Sequence, residues 1–176
     1  MIYIILSIAV ILIGLIVAIA MQPTDFVVTR SAAIPAPAAA LFAQVNDFHN
    51  WQEWSPWAKL DPNAKNSFEG AASGEGAIFS WSGNGKVGAG KMTLEESRPN
   101  TLIKIKLEFF SPFKATNVAQ FTFAPGGDLT IVTWSMSGKN NFMAKTFGMV
   151  MNCDKIIGSM FDKGLANLQE VTTAKR

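Results

Sequence analysis

The 176-residue chain is poor in the side chains on which most enzyme chemistry depends, with one cysteine (Cys153), one histidine (His49) and one tyrosine (Tyr3). A single thiol excludes an internal disulfide and a multi-cysteine metal site. One histidine among acids at unhelpful spacing gives no metal-ligand set. Charge is absent before Asp25, and beyond it the chain carries no block of like sign; the net charge is +2. Nucleic acid is therefore not an expected partner. Gly85, Gly88 and Gly90 are spaced G-x-x-G-x-G inside a strand-like run rather than ahead of a helix, which excludes a dinucleotide-binding loop. No internal repeat or low-complexity segment is present, and no cofactor is implied.

What the chain does have is one long apolar run. Ile2 to Ala20 is 19 residues without a charge, 13 of them Ile, Leu or Val. As a helix it reaches about 28 Å, close to the ~30 Å of a bilayer's hydrocarbon core. Ala18-Ile19-Ala20 has the small-x-small form of a cleaved secretory signal, but the basic n-region is missing and the run exceeds the usual apolar core of such signals. The expectation is a retained single-pass membrane anchor at residues 1–21, in contact with the lipid bilayer through residues 2–20. A linker at 22–25 and one folded domain at 26–173 follow. Arg30 is the first basic residue beyond the run and none precedes it, an asymmetry that places the domain on the cytoplasmic side. Without the run, the apolar fraction is an ordinary globular one, enough for one core and too little for two.

Gln22-Pro23-Thr24-Asp25 is a polar break, and Phe26 to Ser31 is β-branched and extended as a first strand should be, ending near Ile34. Pro35-Ala36-Pro37 opens a short helix whose Leu41, Phe42 and Val45 share a face. From Phe68 to Ser137 the apolar residues alternate in sets, such as Ala77, Phe79, Trp81 and Ile103, Ile105, Leu107, Phe109, with one apolar face each. Gly83-Asn84-Gly85, with the Asn-Gly pair of a type I′ hairpin, Arg98-Pro99-Asn100 and Pro125-Gly126-Gly127-Asp128 mark the reversals of an antiparallel meander. Beyond Lys139 the period becomes helical, first through Met143, Phe147 and Val150, then through Ile157, Met160, Phe161, Gly164, Leu165 and Leu168. The pattern predicts an α+β fold in the order strand, short helices, a run of about six strands and a long amphipathic carboxy-terminal helix, the cover that a one-sided sheet needs.

The segment Val45-Asn46-Asp47-Phe48-His49-Asn50-Trp51-Gln52-Glu53-Trp54-Ser55-Pro56-Trp57 resembles the stretch after the first helix in the START-like (SRPBCC) superfamily, in its polyketide cyclase/dehydrase-like branch. Gly74-Glu75-Gly76-Ala77 before Trp81, Gly88-Ala89-Gly90-Lys91-Met92, and Ile157-Gly158 to Gly164-Leu165-Ala166-Asn167-Leu168 are similar to that branch too. The resemblance runs over about residues 26 to 170 and carries no catalytic signature. It implies the helix-grip fold, a strongly curved antiparallel sheet wrapped around a long carboxy-terminal helix, with a cavity that commonly takes lipids or other apolar molecules.

On that fold the candidate ligand-binding residues are Trp81, Met92, Leu107, Phe109, Trp134, Met136, Phe161 and Leu165, with Trp54 at the pocket mouth. Each also reads as plain core, because a half-buried sheet needs period-two apolar residues whether or not a pocket exists. Gly88 and Gly90 share a strand face with Met92 and Leu94. They leave either room for a ligand or a bulge that curvature requires. Trp51, Trp54 and Trp57, three apart, form either a ligand contact or a plug closing one end of the sheet, with Ser55-Pro56 ending their helix. Met143, Met149, Met151 and Met160 make an adaptable lip or fill gaps. His49 reads as a surface residue, or as an acid/base group with Asp47 or Glu53. Glu75 and Lys91 are exposed hairpin residues or groups near the sheet mouth, and Cys153 is a small apolar helix residue.

Three functions fit this reading. The first is a membrane-anchored binding module for an apolar or amphipathic, lipid-like small molecule. The second is a polyketide cyclase/dehydratase-like enzyme using His49, Glu53 or Glu75, and the third is a protein-interaction module without a ligand.

Overall fold

The apolar run forms one continuous helix, α1 (Ile2–Ala20), in which Ile19 alone is buried. Among the described residues it is the one helix long and apolar enough to cross a membrane. The computed structural model describes residues 1–140, 142–150 and 152–174, without the side chains of Met143, Phe147, Met149, Val150 and Cys153. Beyond α1 come β1 (Asp25–Ile34), α2 (Ala38–Asn46), a 3-10 turn (Phe48–Asn50), α3 (Trp51–Trp54), β2 (Lys65–Gly70), β3 (Ala77–Ser82), β4 (Ala89–Arg98), β5 (Leu102–Ser111), β6 (Ala115–Gly126), β7 (Leu129–Lys139), α4 (Phe142–Val150) and α5 (Cys153–Thr173).

The strands form one antiparallel sheet in the order β1-β7-β6-β5-β4-β3-β2. Its concave face holds the alternating residues that the sequence pattern picks out, and α5 lies across them in the helix-grip arrangement. Register shifts at Ala89/Gly90 and Leu94/Glu96 interrupt the β4–β5 ladder, and bulges of this kind increase the bend of a sheet. Arg30 of β1 ties α5 to the sheet edge through Asp154 at 3.1 Å and Asp162 at 3.4 Å. The Asp154 hydrogen bond holds the guanidinium pKa above its ordinary value. At the start of α5, Asn152 caps the helix by accepting the Lys155 amide at 2.9 Å.

Local chemistry explains the shorter elements. The Asp47 carboxylate accepts the His49 amide at 2.9 Å and starts the 3-10 turn that leads into α3. Ser55 adopts an extended backbone ahead of Pro56, which stops α3. The β6–β7 hairpin pairs Gly126 with Leu129, leaving Gly127 and Asp128 as a two-residue turn, and Gly127 has the positive φ (74°) that its first position requires.

One expectation is corrected. Gly83-Asn84-Gly85 does not form a two-residue type I′ turn. The β3–β4 connection is wider, because the Asp61 carboxylate accepts the Asn84 amide at 2.6 Å and the Asn84 carbonyl accepts the amides of Val87 and Gly88. The seven strands are the predicted first strand and the predicted run of about six after the short helices. The first of that run, β2, is an edge strand with all six residues exposed, so it carries the half-buried alternation least clearly.

Candidate functional site

The concave face is divided into a packed half and a hollow half. Toward the β6–β7 hairpin, Leu94, Ile103, Ile105, Phe121 and Val132 are buried with Leu41, Val45, Phe48, Leu165 and Leu168 in a continuous core. Toward the β5–β6 hairpin, the next inward residues on the same strands border a cavity of about 1090 Å³. They are Met92, Leu107, Phe109, Asn117, Ala119, Trp134 and Met136, joined by Phe79, Trp81 and Val28 on the flanking strands and by Ile157 and Phe161 on α5. That volume lies just above the ~300–1,000 Å³ of small-molecule sites.

Aromatic rings make the partition between the two halves. Trp134 stacks on Phe161 with centroids 4.2 Å apart, and Trp51, Trp54 and Trp57 surround it at 6.2, 5.7 and 5.8 Å in edge-on geometry. Trp51 and Trp54 are fixed through their indole N–H groups, which donate to the carbonyls of Val45 at 2.9 Å and Gln44 at 3.2 Å. Trp51 and Trp57 show a face to the cavity, whereas Trp54 is fully buried behind them. The tryptophan triplet thus closes one end of the hollow.

Seven of the nine candidate residues border the cavity together: Trp81, Met92, Leu107, Phe109, Trp134, Met136 and Phe161. Trp54 and Leu165 lie on the packed side of the aromatic partition instead, each no more than 2% exposed. The missing side chains at Gly88 and Gly90 do not enlarge the hollow. A β-carbon on Gly90 would overlap the Trp81 ring, which lies across it from the neighbouring strand, and one on Gly88 would overlap the Ser111 carbonyl. Both glycines admit neighbouring protein atoms rather than a ligand. Met160 is half-buried and does not border the cavity, while the side chains of Met143, Met149 and Cys153, and all of Met151, lie outside the described residues.

One polar group of the wall is unusual, and sequence reasoning missed it. Asn117 on β6 is 7% exposed and borders the cavity. Among the described residues its Nδ2 reaches only the Met136 thioether, at 3.9 Å, and its Oδ1 has no partner. The side chain lies in the space left by the absent β-carbon of Gly138 on β7. Trp134 Nε1 is a second buried group in the same wall without a partner among the described residues. An unpaired buried polar group costs about 1–3 kcal/mol, and because neither atom is accessible from the hollow, a guest or water would meet it only after a local rotation of its side chain. The sequence signal was an Asn at an inward position of an otherwise apolar strand face.

The acid/base candidates are elsewhere. His49 is exposed, stacks on Phe68 at 4.1 Å and pairs with Asp47 at 2.8 Å. Neither it nor exposed Glu53 and Glu75 borders the cavity. Lys91 pairs instead with Glu108 at 3.4 Å. Glu108 also bonds Lys106, and this bond holds its carboxyl pKa below the ordinary value. The titratable groups that do border the cavity, Asp61, Lys86, Lys114, Lys139, Lys145 and Asp154, come from the loops, strand end and helix starts around the open end. Among the described residues no group of three or more His, Cys, Asp or Glu side chains converges.

Residues 25–172 match the family described as polyketide cyclase/dehydrase and lipid transport. Protein MLL2253 from Mesorhizobium loti is similar in structure, with a TM-score of 0.62 at 18% identity over 86% of this chain and 99% of that one. Protein Ms6760 from Mycobacterium smegmatis gives 0.60 at 15% identity over 85% and 92%. Ara h 8.0201 gives 0.57 at 10% identity over 85% and 99%. At these identities the likeness is one of fold. No curated protein matches the sequence significantly.

Proposed function

The chain belongs to the polyketide cyclase/dehydrase and lipid transport family, and from that premise we propose that it is a membrane-anchored module that binds a lipid-like small molecule in the hollow half of its sheet. The proposed unit is the domain of residues 26–173, joined by the linker 22–25 to an anchor at 1–21 that sits in the bilayer through residues 2–20. The proposed contacts are Trp81, Met92, Leu107, Phe109, Trp134, Met136 and Phe161.

The carrying observation is the hollow itself: inward residues pack against helices on one half of each central strand and border about 1090 Å³ on the other. Burying an apolar guest there gains about 25 cal/mol for each Å² removed from water. Asn117 and Trp134 border the hollow, and a rotation bringing Asn117 Oδ1 or Trp134 Nε1, unpartnered among the described residues, toward it would favour a guest with a hydroxyl group over a pure hydrocarbon.

The cyclase-like alternative has less support. Acid/base catalysis needs a titratable group within hydrogen-bond reach of the reacting atoms, and His49, Glu53 and Glu75 do not border the cavity. For the anchor, the length of α1 and the exposure of its apolar side chains support the bilayer reading, with the domain on the cytoplasmic side following from Arg30.

The test is binding of N-phenyl-1-naphthylamine to the detergent-extracted full chain, followed by displacement with 1-dodecanol. Ala119 is 4% exposed and borders the cavity. Ala119→Trp should push a bulky ring into the hollow beside the aromatic partition and weaken probe binding severalfold while the far-ultraviolet spectrum is kept. Equal probe binding by a folded A119W chain, or none by the unsubstituted chain after delipidation, overturns the reading. Native mass spectrometry of the extracted protein would supply the mass of any retained guest.

A further inference from the structure

We propose that the open end of the cavity is a membrane-docking surface that sits on an anionic bilayer, so that the guest passes between lipid and protein without crossing bulk water. This rests on α1 being a membrane anchor; it goes further by assigning a second, peripheral contact to the folded domain and a direction to the cavity.

The strand register places the relevant parts at one end of the sheet. Asp25 at the start of β1 pairs with Lys139 at the end of β7, Asn117 pairs with Gly138, Phe109 with Ala115, and Ala89 with Ser111. The point where the chain leaves α1, the β5–β6 hairpin and the β3–β4 loop are therefore on the same side of the molecule. That side is also where the hollow half opens.

The anchor is held against this end rather than swinging free. Lys145 Nζ of α4 donates to the carbonyl of Ala20, the last residue of α1, at 3.2 Å. The Asn140 amide donates to the Thr24 carbonyl at 2.6 Å and its side chain to the Pro23 carbonyl at 3.4 Å. Ile19 is 4% exposed in a helix otherwise open to its surroundings, and Gln22 itself borders the cavity. Wherever α1 ends in the bilayer, the mouth lies beside that level.

The surface around the mouth has the chemistry of an interfacial contact. Phe113 in the β5–β6 hairpin and Ile156 on α5 border the opening and are 44% and 47% exposed, and Phe142 at the start of α4, between the bordering residues Asn140 and Ala144, is 52% exposed. Lys86, Lys114, Lys139 and Lys145 border the same opening. The two carboxylates bordering it are engaged within the protein: Asp154 pairs with Arg30, and Asp61 accepts the amides of Asn84 and Asn63. Apolar side chains among lysines suit the headgroup boundary of a membrane rich in anionic lipid. The opposite end of the sheet, at the β6–β7 hairpin, is farthest from the anchor.

The experiment uses the full chain carrying Cys153→Ser, reconstituted in phosphatidylcholine vesicles with and without phosphatidylserine. A nitroxide is placed at Phe113→Cys, at Phe142→Cys or, as the distal control, at Leu129→Cys. Flotation after carbonate washing reads the anchor alone. Relative accessibility of the nitroxide to oxygen and to a water-soluble nickel chelate reads docking. The proposal expects labels at 113 and 142 to favour oxygen severalfold, more so with phosphatidylserine and less so in high salt or with Lys86→Glu and Lys114→Glu, while the label at 129 favours nickel throughout. Chains that float but whose 113 and 142 labels match the 129 control overturn docking and leave the anchor standing. Chains that do not float overturn the anchor. Labels shielded from both reagents mean that a second copy covers the mouth, which also overturns docking on lipid.

Discussion

The Trp134 indole on β7 lies nearly parallel to the Phe161 ring on α5, at 9° and 4.2 Å, and a β-carbon on Gly164 would come within 2.7 Å of that indole. Gly164 thus lets the long helix approach the aromatic partition that limits the cavity. The same β-carbon would stand 3.2 Å from Pro56, so the site is closed from two sides.

Gly164→Ala is therefore expected to reverse the usual sign. In a helix interior, replacing Gly by Ala stabilises by about 0.8–1.0 kcal/mol from backbone entropy. Here overpacking against a rigid buried ring costs about 1–3 kcal/mol and should win. Urea unfolding of the detergent-solubilised chain would check this; a midpoint raised above that of the unsubstituted chain would contradict it.

Asn117→Leu separates stability from recognition. Removing a buried polar group with an unpaired acceptor should stabilise the ligand-free protein by about 1 kcal/mol or more. The same change should lower affinity for 1-dodecanol relative to a chlorinated alkane of equal length. Thermal melting and probe displacement, measured on one preparation, read the two effects. A variant that melts lower and discriminates as before would show that the amide serves the fold alone.

Asp61→Ala should loosen the β3–β4 loop at the mouth. The carboxylate accepts the Asn84 amide at 2.6 Å and the Asn63 amide at 3.1 Å, and it is 9% exposed. Losing it leaves both donors without their partner, at a cost of about 1–3 kcal/mol. Hydrogen exchange should show deprotection confined to the loop at 83–88 and the segment around 61–64; unchanged exchange there would remove Asp61 from the account of the mouth.

Glu108 gives a pH-dependent prediction. Its carboxyl pKa lies below the ordinary 4.5, first because of the Lys106 hydrogen bond and with help from Lys91. A depressed folded-state pKa adds stability that is present above the unfolded value and lost as pH falls through the folded one. The gap in unfolding midpoint between the unsubstituted chain and Glu108→Gln should therefore be present at neutral pH and close below about pH 4.5. Because the pair is partly exposed, salt should narrow the gap as well. A gap that persists unchanged into acid would assign the effect to packing.

Much of the fold was legible because its signals are local. Alternation at Ile103, Ile105, Leu107 and Phe109, the turn residues around Gly127, and the helical spacing of Phe161, Leu165 and Leu168 each follow from a few neighbouring residues. β2 was the least legible strand of the run, marked only by Phe68, because an edge strand exposed on both faces leaves no burial pattern in the sequence. The β3–β4 loop was misread because its shape is set by Asp61, which is 23 residues distant from Asn84. For the site, period two names the inward residues of a strand but not which half of them a helix covers. Trp54 and Leu165 could be told from Trp81 and Met92 only once α2, α3 and α5 were placed. Glycine was ambiguous for a similar reason: at Gly90 the vacant volume belongs to Trp81 from the adjacent strand.

The seven-stranded sheet is not closed into a barrel, and β2 forms one of its margins with Lys65 and Glu69 among its six exposed residues. An unpaired margin invites a strand from another molecule to extend the ladder. This one is brief, carries both signs of charge and ends at Gly70, where the backbone turns to a positive φ of 74°. Polymerisation along that side is thereby discouraged, and the sheet can stay open enough to curve around a hollow without fibre formation as the consequence.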